Sequence, residues 1–416
     1  MTQVSWRSRI PFLVNTGYAT VTAASAGILL VLLLVAGRLL SASDYGRFSF
    51  ALSLTTIVET IMDVGLGHVT VREVARQKAS ADRLFRHVLG LKIMWVAIGL
   101  ALLLIVTPIL RQDRELIRLC YLMGISSAVR SYLLTARGLL QGLDRFDLEA
   151  LIVVADRLLL LVAGSAAMTG GYGLFGLAAA FVVARLTMLV SVFWLLHAFL
   201  GGVRPTFDRS TWRDLQSAAL PLGFFMIALN MYSYIDTVIL GVMRSDAETG
   251  WYAASYRVYE GLTYLPSMLA SVLTPRLSYL FVHERAALRS LLARVLGGTL
   301  ALGFVLGAIT FWAASPILLT LFGDAYAQAV PPLRILAGGA VFVFGTWILH
   351  AAAIATNLDR RLLVTTAVGL TANVLLNIAF IPRWGISGAA WATVVAEALT
   401  VTLLFAQVRR RIRAAA

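Results

Sequence analysis

Four arginines stand inside apolar segments that are long enough to cross a membrane: Arg130, Arg157, Arg185 and Arg257. A charged side chain at the centre of a bilayer costs about 2.5–3.5 kcal/mol even on lenient insertion scales. Such residues are therefore expected to face water or another helix rather than lipid. The chemistry open to them is ion pairing between helices or the binding of an anionic substrate.

Arg130 and Arg185 carry the sharpest signal. No acidic residue lies within four positions of either one, so neither is neutralised by its own helix at the i,i+3 or i,i+4 spacing. Two interpretations stay open for each of them. One is a salt bridge to another helix, and the other is contact with an anionic substrate in a water-filled cavity.

The other two arginines have acidic neighbours. Arg257 and Glu260 are three positions apart, so they can neutralise each other on one helix face. Arg157 directly follows Asp156, and this adjacency favours a structural role for both side chains. Arg157 is nevertheless kept among the substrate-binding candidates.

Three carboxylates are candidates for ion coupling. Glu59 and Asp63 are four positions apart, on one face of the second predicted helix. Neighbouring carboxylates raise each other's proton affinity, which suits a proton or cation site; a polar contact between helices is the alternative. Asp236, in the seventh predicted helix, is a second candidate for ion coupling.

The composition indicates a helical membrane protein. Of the 416 residues, 59% are hydrophobic and only 13% are charged, with a mean hydropathy of +0.83. Soluble domains contain about 25% charged residues. Repeated apolar runs near 20 residues predict about twelve membrane helices. Their expected limits are 11–37, 47–70, 88–110, 116–140, 149–169, 173–200, 218–243, 251–275, 291–320, 331–356, 362–381 and 385–408.

Basic residues alternate from loop to loop. With the N-terminus inside, where Arg7 and Arg9 lie, 23 basic residues fall in inside segments and 8 in outside segments. The positive-inside rule then places both termini in the cytoplasm. The net charge of +14 is spread over these loops, which argues against a nucleic-acid partner.

The sequence also repeats itself in two halves. Three short segments recur in the same order: 45–48 at 249–252, 143–145 at 358–360, and 172–179 at 384–391. Six spans per half give both halves the same orientation, with a substrate path in a central cavity between them. The predicted domains are an N-terminal six-helix bundle (1–200), a cytoplasmic linker (201–217) and a C-terminal six-helix bundle (218–416).

The repeat bears on three charged residues. Arg257 falls beside the expected axis between the halves, which favours its role as a substrate contact. Arg185 aligns with Glu397, so the two bundles carry opposite charges at equivalent places. These two residues are candidate charge partners that hold the halves in register, as an alternative to substrate binding by Arg185.

No motif for an enzyme or an ATP-driven pump is present. The sequence has only two lysines and no GxxxxGK[ST] motif. No loop is long enough for a soluble catalytic domain. The simplest prediction is a secondary transporter without a cofactor, driven by its substrate or by a proton or sodium gradient.

Several longer segments carry a family resemblance. They are LSASDYGRFSFALSLTTIVETIMDVGLGHVTVREVAR (40–76), TGWYAASYRVYE (249–260), LFGDAYAQAVPPLRILAGG (321–339), ATNLDRR (355–361) and NVLLNIAFIPRWGISGAAWATVVAEA (373–398). The chain resembles the Wzx-type flippases for lipid-linked oligosaccharides. These belong to the superfamily that also contains multidrug extruders and lipid II flippases.

The resemblance implies a substrate for the arginines. Such flippases move undecaprenyl-diphosphate-linked glycans, including O-antigen units of lipopolysaccharide, across the bacterial inner membrane by alternating access. Planar guanidinium groups bind phosphate through two hydrogen bonds. The resemblance therefore favours Arg130 and Arg257 as substrate contacts. Membrane lipids, a polysaccharide polymerase and a chain-length regulator are the further partners that it implies.

Two alternatives belong to other classes. A multidrug extruder of the same superfamily is expected to have an acidic, aromatic cavity without several unpaired arginines. A membrane polymerase or ligase for the same glycans is expected to need a large external loop, and none is found in this sequence.

Overall fold

The computed structural model describes residues 17–414 apart from 19, 23 and 201. Nearly all of these residues are helical, and none of them is in a β-strand. The predicted all-α membrane class is confirmed. Residues 11–16 of the first predicted helix, the inside arginines Arg7 and Arg9, and residue 201 of the predicted linker lie outside the described residues.

The helices follow one another with short connections. In chain order they are α1 (Ala26–Leu39), α2 (Ala42–Asp63), α3 (Leu66–Arg76), α4 (Ala81–Leu110), α5 (Arg114–Gly142), α6 (Phe146–Thr169), α7 (Gly173–Leu200), α8 (Arg209–Met243), α9 (Asp246–His283), α10 (Arg285–Trp312), α11 (Ala314–Phe322), α12 (Val330–Gly338), α13 (Ala340–Ala355) and α14 (Asp359–Ala414). Short 3₁₀ turns at Lys78–Ser80 and Asp324–Ala329 join neighbouring helices.

Within the described part of the chain, nine helices are long and apolar enough to cross a membrane. A tenth span is added if the segments Asp324–Gly338 and Ala340–Ala355, which meet at a bend of 47°, count as one. The chain is therefore a multi-pass membrane protein by length and composition.

Two features account for the difference from the predicted twelve. Helix α14 runs through the predicted break near residue 383, with only Gly385 in a non-helical conformation (φ 56°, ψ −134°). Helix α5 is not among the nine, because Arg130, Arg137 and several hydroxyl residues make it polar. Twelve spans follow if the bent pair counts as one span, α14 counts twice and α5 also crosses, and that number stays a prediction.

The described residues form two compact units. The first contains residues of Met1–Leu39 and Ala51–Asn230, and the second contains Leu40–Phe50 and residues of Met231–Ala416. The division falls inside α8, whereas the sequence places the linker at 201–217. The physical reason is that the first part of α8 packs into the first unit, where Leu215 and Ala219 share a buried cluster with Val64.

Helix α8 begins where an aspartate caps it. The carboxylate of Asp208 accepts hydrogen bonds from the backbone N–H groups of Ser210 and Thr211, at 3.2 and 3.3 Å. These are the orphan donors of a helix N-terminus. The hydroxyls of Thr211 and Ser210 also donate to it and lower the pKa of Asp208 to about 2.

In the first unit, helix α5 packs against α3, α4 and α7. Its contact with α3 depends on small residues, because a methyl group added to Gly138 would overlap the backbone of Gly67. Close backbone approach of this kind is how small residues allow membrane helices to pack. The contact brings the polar side chains of α5 to the interior of the unit.

In the second unit, helix α13 packs against α9, α10 and α14. The start of α2 crosses the start of α9 in the same unit, and the crossing is centred on Gly46 and Gly250, where any side chain would overlap the opposing backbone. These two glycines are equivalent in the sequence repeat. An ion pair between Arg47 and Asp246, at 2.8 Å, flanks the crossing.

Candidate functional site

Helices α1, α5, α6 and α7 of the first unit enclose a small polar cavity of about 40 Å³. Four arginines and one aspartate are among its lining residues: Arg130, Arg137, Arg157, Arg185 and Asp156. The remaining lining residues are aliphatic. This cationic cavity, named here for its four arginines, brings together three of the four predicted substrate-binding residues.

Arg130 reaches the cavity from α5 and pairs with Glu59 of α2. Its Nη1 lies 2.9 Å from Oε1 and 3.1 Å from Oε2 of the carboxylate. The Glu59 side chain is 5% exposed, whereas the Arg130 side chain is 35% exposed. Glu59 is therefore buried in the ion pair, while Arg130 has accessible surface that a further partner could contact.

Arg185, on α7, is buried and lines the same cavity as the Asp156 carboxylate without forming an ion pair with it. Its Nη1 donates to the hydroxyl of Ser126 at 2.9 Å, and its guanidinium lies 5.3 Å from the centre of the Phe181 ring. Among the described residues, the buried Nε of Arg185 has no hydrogen-bond partner, and no residue forms an ion pair with Arg185. A buried cation with so little compensation destabilises a fold, which indicates a functional reason for its presence.

Asp156 and Arg157 also face the cavity from α6. The buried Oδ1 of Asp156 has no hydrogen-bond partner in the part of the chain that the structure describes. Although adjacent residues diverge on a helix, both side chains line the same space. The cavity thus contains unsatisfied acceptor and donor atoms in one place, which is the condition for binding a polar group or water.

Arg137, which lines the cavity, forms a second arginine–glutamate ion pair with Glu149. Arg137 donates to Oε1 of Glu149 from Nε and Nη2, at 2.8 and 2.6 Å, and Thr22 donates to Oε2 at 2.8 Å. Glu149 is buried. Both carboxylate oxygens of Glu149 are therefore engaged in hydrogen bonds. The lining of the cationic cavity contains four guanidinium groups and one carboxylate, that of Asp156.

Asp63 pairs with a lysine rather than with Glu59. The fully buried Nζ of Lys92, on α4, donates to Oδ1 of Asp63. Each of the two predicted coupling carboxylates therefore has its own cation from another helix. This arrangement favours the second interpretation of the Glu59–Asp63 spacing, a polar contact between helices.

In the second unit, Arg257 and Glu260 form the ion pair that their spacing predicts. Nη1 of Arg257 lies 2.6 Å from Oε2 of Glu260, and the arginine side chain is 7% exposed. Glu397, the repeat equivalent of Arg185, is buried and accepts a hydrogen bond from Thr346 at 3.0 Å. A role for Arg257 in substrate binding and a role for Glu397 in register stay predictions.

Asp236 is the centre of a buried polar network in the second unit. Its Oδ1 accepts from Asn377 Nδ2 at 2.8 Å, and its Oδ2 accepts from Thr393 Oγ1 at 2.5 Å and Tyr252 Oη at 3.1 Å. The buried Nδ2 of Asn373 and Oδ1 of Asn377 have no hydrogen-bond partners within the described residues. Every contact to Asp236 is therefore from a neutral group, in contrast to Glu59 and Asp63.

Comparison with known proteins identifies the family. The sequence profile of the family described as polysaccharide biosynthesis protein matches residues 14–281, well over half of the chain. The chain belongs to the polysaccharide biosynthesis protein family. The family predicted from the sequence motifs is therefore confirmed.

One curated relative of this polysaccharide biosynthesis protein is the "Probable flippase AglR" of Haloferax volcanii. It is 26% identical over 220 residues, which is 51% of this chain and 45% of the relative. The chain thus spans less than half of the length of this relative.

Solved structures with the same fold are transporters. One is an inward-facing multidrug resistance MATE family transporter of the MOP superfamily, with a TM-score of 0.75 and 15% identity over 93% of this chain and 94% of that one. Another is the lipid II flippase MurJ in an inward closed conformation, with a TM-score of 0.73 and 12% identity over 94% and 87% of the two chains. At these identities, the similarity concerns the fold alone.

Sequence reasoning missed several residues that form hydrogen bonds or ion pairs with the charged residues of this polysaccharide biosynthesis protein. Lys92, Ser126 and Glu149 come from other helices than the residues they contact, so no local spacing marks them. Asn373 and Asn377 lie in the segment 373–398, which carries part of the family resemblance. Their i,i+4 spacing on one helix face was the available signal that both amides serve one polar site.

Proposed function

We propose that this polysaccharide biosynthesis protein is a flippase for an oligosaccharide linked to undecaprenyl diphosphate, such as an O-antigen unit. It moves this substrate from the cytoplasmic to the periplasmic leaflet of a bacterial inner membrane by alternating access, with both termini in the cytoplasm. The observation that carries the proposal is the cationic cavity, above all the buried Arg185 that has no ion pair among the described residues. The names of the curated relative and of the MurJ neighbour agree with a flippase.

The chemistry of the cavity fits a diphosphate. Guanidinium groups donate charge-assisted, bidentate hydrogen bonds to phosphate oxygens and stay charged when buried. Arg185 has an unused Nε donor, and Arg130 keeps exposed surface beside its pair with Glu59. In our proposal these two residues hold the diphosphate, and Arg157 and Arg137 supply the surrounding positive potential.

The size of the cavity sets a condition on this mechanism. About 40 Å³ holds about one water molecule, whose share of liquid volume is about 30 Å³. A diphosphate therefore enters only after the helices around the cavity move apart. In our proposal alternating access supplies this movement, and the small cavity is the closed form of the site.

Asp236 is our candidate for the residue that couples transport to an ion gradient. We propose that its network of Asn373, Asn377, Tyr252 and Thr393 binds a proton or a sodium ion and couples transport to that gradient. An intramembrane carboxylate held by neutral oxygen and nitrogen groups, with no cationic partner among the described residues, is available to exchange an ion. Glu59 and Asp63 lack this property because cations already neutralise them.

The multidrug extruder is the second candidate function, because a MATE transporter has the same fold. The cavity distinguishes the two. Its described lining contains four arginines and no aromatic residue, whereas a site for cationic drugs is expected to be acidic and aromatic. The cavity thus supports an anionic substrate.

The test uses cells in which the gene is deleted and then restored with Arg185→Ala. Because Arg185 is a poorly compensated buried charge, its removal relieves a desolvation cost that offsets part of the cavity it leaves, and thermal unfolding in detergent measures the balance. We expect normal expression but at least tenfold slower clearance of undecaprenyl-linked glycan, since a hydrogen bond to a charged group contributes about 1.5–3 kcal/mol. Arg185→Lys should be intermediate, because it keeps the charge but loses the planar fork.

The matched control is Arg76→Ala, which removes an arginine whose side chain is 65% exposed. It should clear the glycan as the wild type does. If Arg185→Ala also clears glycan normally, the cationic cavity is not the diphosphate site. If surface glycan is unchanged in the deletion strain and sensitivity to cationic drugs rises, the extruder function is correct instead.

A further inference from the structure

A second cavity, distinct from the cationic cavity, opens at one end of the second unit. It is a groove of about 340 Å³ between α10, α13 and α14. Leu292 and Leu296 of α10 and Phe405 of α14 form its apolar walls, and Arg289, Arg409 and Arg413 are at its end. We call this the arginine-ended groove.

The charge of the groove is of one sign. None of the described residues that line it is acidic. Arg409 and Arg413 are four positions apart and exposed, so they lie on one face of the last turns of α14. Arg289 donates from Nη2 to the backbone oxygen of Ile412 at 3.1 Å, which joins the start of α10 to the end of α14.

The geometry points to an anionic phospholipid as the occupant of the arginine-ended groove. Its phosphate contacts Arg409, Arg413 and Arg289, and the first part of an acyl chain lies along Leu292, Leu296 and Phe405. The proposal does not depend on the flippase function.

The dimensions agree with a lipid. At a rise of 1.5 Å per residue, the eight positions from Arg413 to Phe405 span about 12 Å along the helix, enough for the upper part of an acyl chain. The arginines lie at the end that the charge distribution predicts to be cytoplasmic. Basic pockets between membrane helices on that side bind lipid headgroups, and anionic lipids are enriched in that leaflet.

A zwitterionic lipid fits less well. The amine of phosphatidylethanolamine or the trimethylammonium of phosphatidylcholine would meet three guanidinium groups with no carboxylate among the described lining residues. Phosphatidylglycerol and cardiolipin bring negative charge without a cation. The groove should therefore select for the headgroup charge rather than for the acyl chain.

The test measures lipid binding to the purified full-length protein by native mass spectrometry. Phosphatidylglycerol and phosphatidylcholine with identical acyl chains are titrated separately. The wild type should prefer phosphatidylglycerol. The double variant Arg409→Ala/Arg413→Ala should bind it about thirty-fold more weakly, given the usual contribution of two basic residues beside an anionic surface, with little change for phosphatidylcholine.

Two further variants distinguish lipid binding in the groove from nonspecific attraction to the positive charge of the protein. Arg294→Ala removes an exposed arginine of α10 that does not line the groove, so it should bind phosphatidylglycerol as the wild type does. Ala293→Trp fills the groove without changing the charge, and it should weaken the binding of both lipids. Thermal unfolding in lipid-free detergent confirms that each variant is folded.

Three results would overturn the proposal. They are unchanged phosphatidylglycerol binding in the double variant, unchanged binding in Ala293→Trp, and displacement of phosphatidylglycerol by an equal concentration of glycerol 3-phosphate. The last would assign the arginines to a soluble phosphate instead of a lipid.

Discussion

The ion pair between Glu59 and Arg130 shows why a single alanine substitution cannot reveal what an ion-paired membrane arginine does. Removing one partner of a buried pair costs about 3–5 kcal/mol, because the other charge is left buried without compensation. A loss of transport in Arg130→Ala would therefore report instability as well as a lost substrate contact. A neutral replacement of both partners avoids this problem.

We expect Glu59→Gln/Arg130→Gln to fold normally and to transport at least tenfold more slowly than the wild type. Two amides can keep a hydrogen bond between α2 and α5, but the cation that we propose as a diphosphate contact is gone. The single variant Glu59→Gln retains Arg130 and should transport substantially. Thermal unfolding and glycan clearance, measured on the same variants, separate the two effects; normal transport in the double variant would make Arg130 purely structural.

At this scale, sequence reasoning found the charged residues but only part of their surroundings. Arg257 and Glu260 are near each other in the chain, and their ion pair followed from spacing alone. Arg185 and Ser126 are 59 positions apart, so their contact depends on how α5 and α7 pack. The lack of an acidic neighbour around Arg185 was still informative, because it excluded a partner on its own helix.

At the scale of helices, the crossing of α2 and α9 depends on two glycines. The backbones of Gly46 and Gly250 approach so closely that a methyl group on either would overlap the other helix. Sequence reasoning matched these two segments as repeats, but a repeat does not say that the equivalent positions touch. The sequence did not predict that α14 is continuous, because Pro382 and Gly385 are typical of a helix end.

Gly46→Ala should destabilise the protein by about 1–3 kcal/mol, the usual cost of overpacking. Gly298→Ala is the control, since the space around Gly298 is open and alanine is the better helix former. Thermal unfolding in detergent should show a lower Tm for the first variant and an equal or higher Tm for the second. Equal Tm values for Gly46→Ala and the wild type would mean that the helices cross less closely than described.

At the scale of the whole molecule, the two units have different polar interiors despite the repeat between the halves of the sequence. The first contains the cationic cavity, and the second contains the Asp236 network. We interpret this difference as a division of labour, in which one unit binds an anionic substrate and the other binds the driving ion. Fold class and family followed from the sequence at this scale, because hydropathy and motifs are properties of long segments.

The division of labour predicts a specific defect for Asp236→Asn. Substrate binding should persist, while transport should fall and lose its response to an imposed proton or sodium gradient. Vesicles with opposite gradients measure that response. Asp324→Asn, which removes an exposed carboxylate of the same unit, should respond as the wild type does. An unchanged response in Asp236→Asn would show that the coupling ion binds elsewhere.

The most direct test of the central claim is translocation in vesicles that contain only the purified protein. A fluorescent oligosaccharide on undecaprenyl diphosphate is placed in the inner leaflet, and a membrane-impermeant quencher reports its arrival outside. The account predicts that the wild type moves this lipid well above the rate of protein-free vesicles, and that Arg185→Ala is at least tenfold slower. Equal rates for wild type and Arg185→Ala, or no movement above protein-free vesicles, would contradict it.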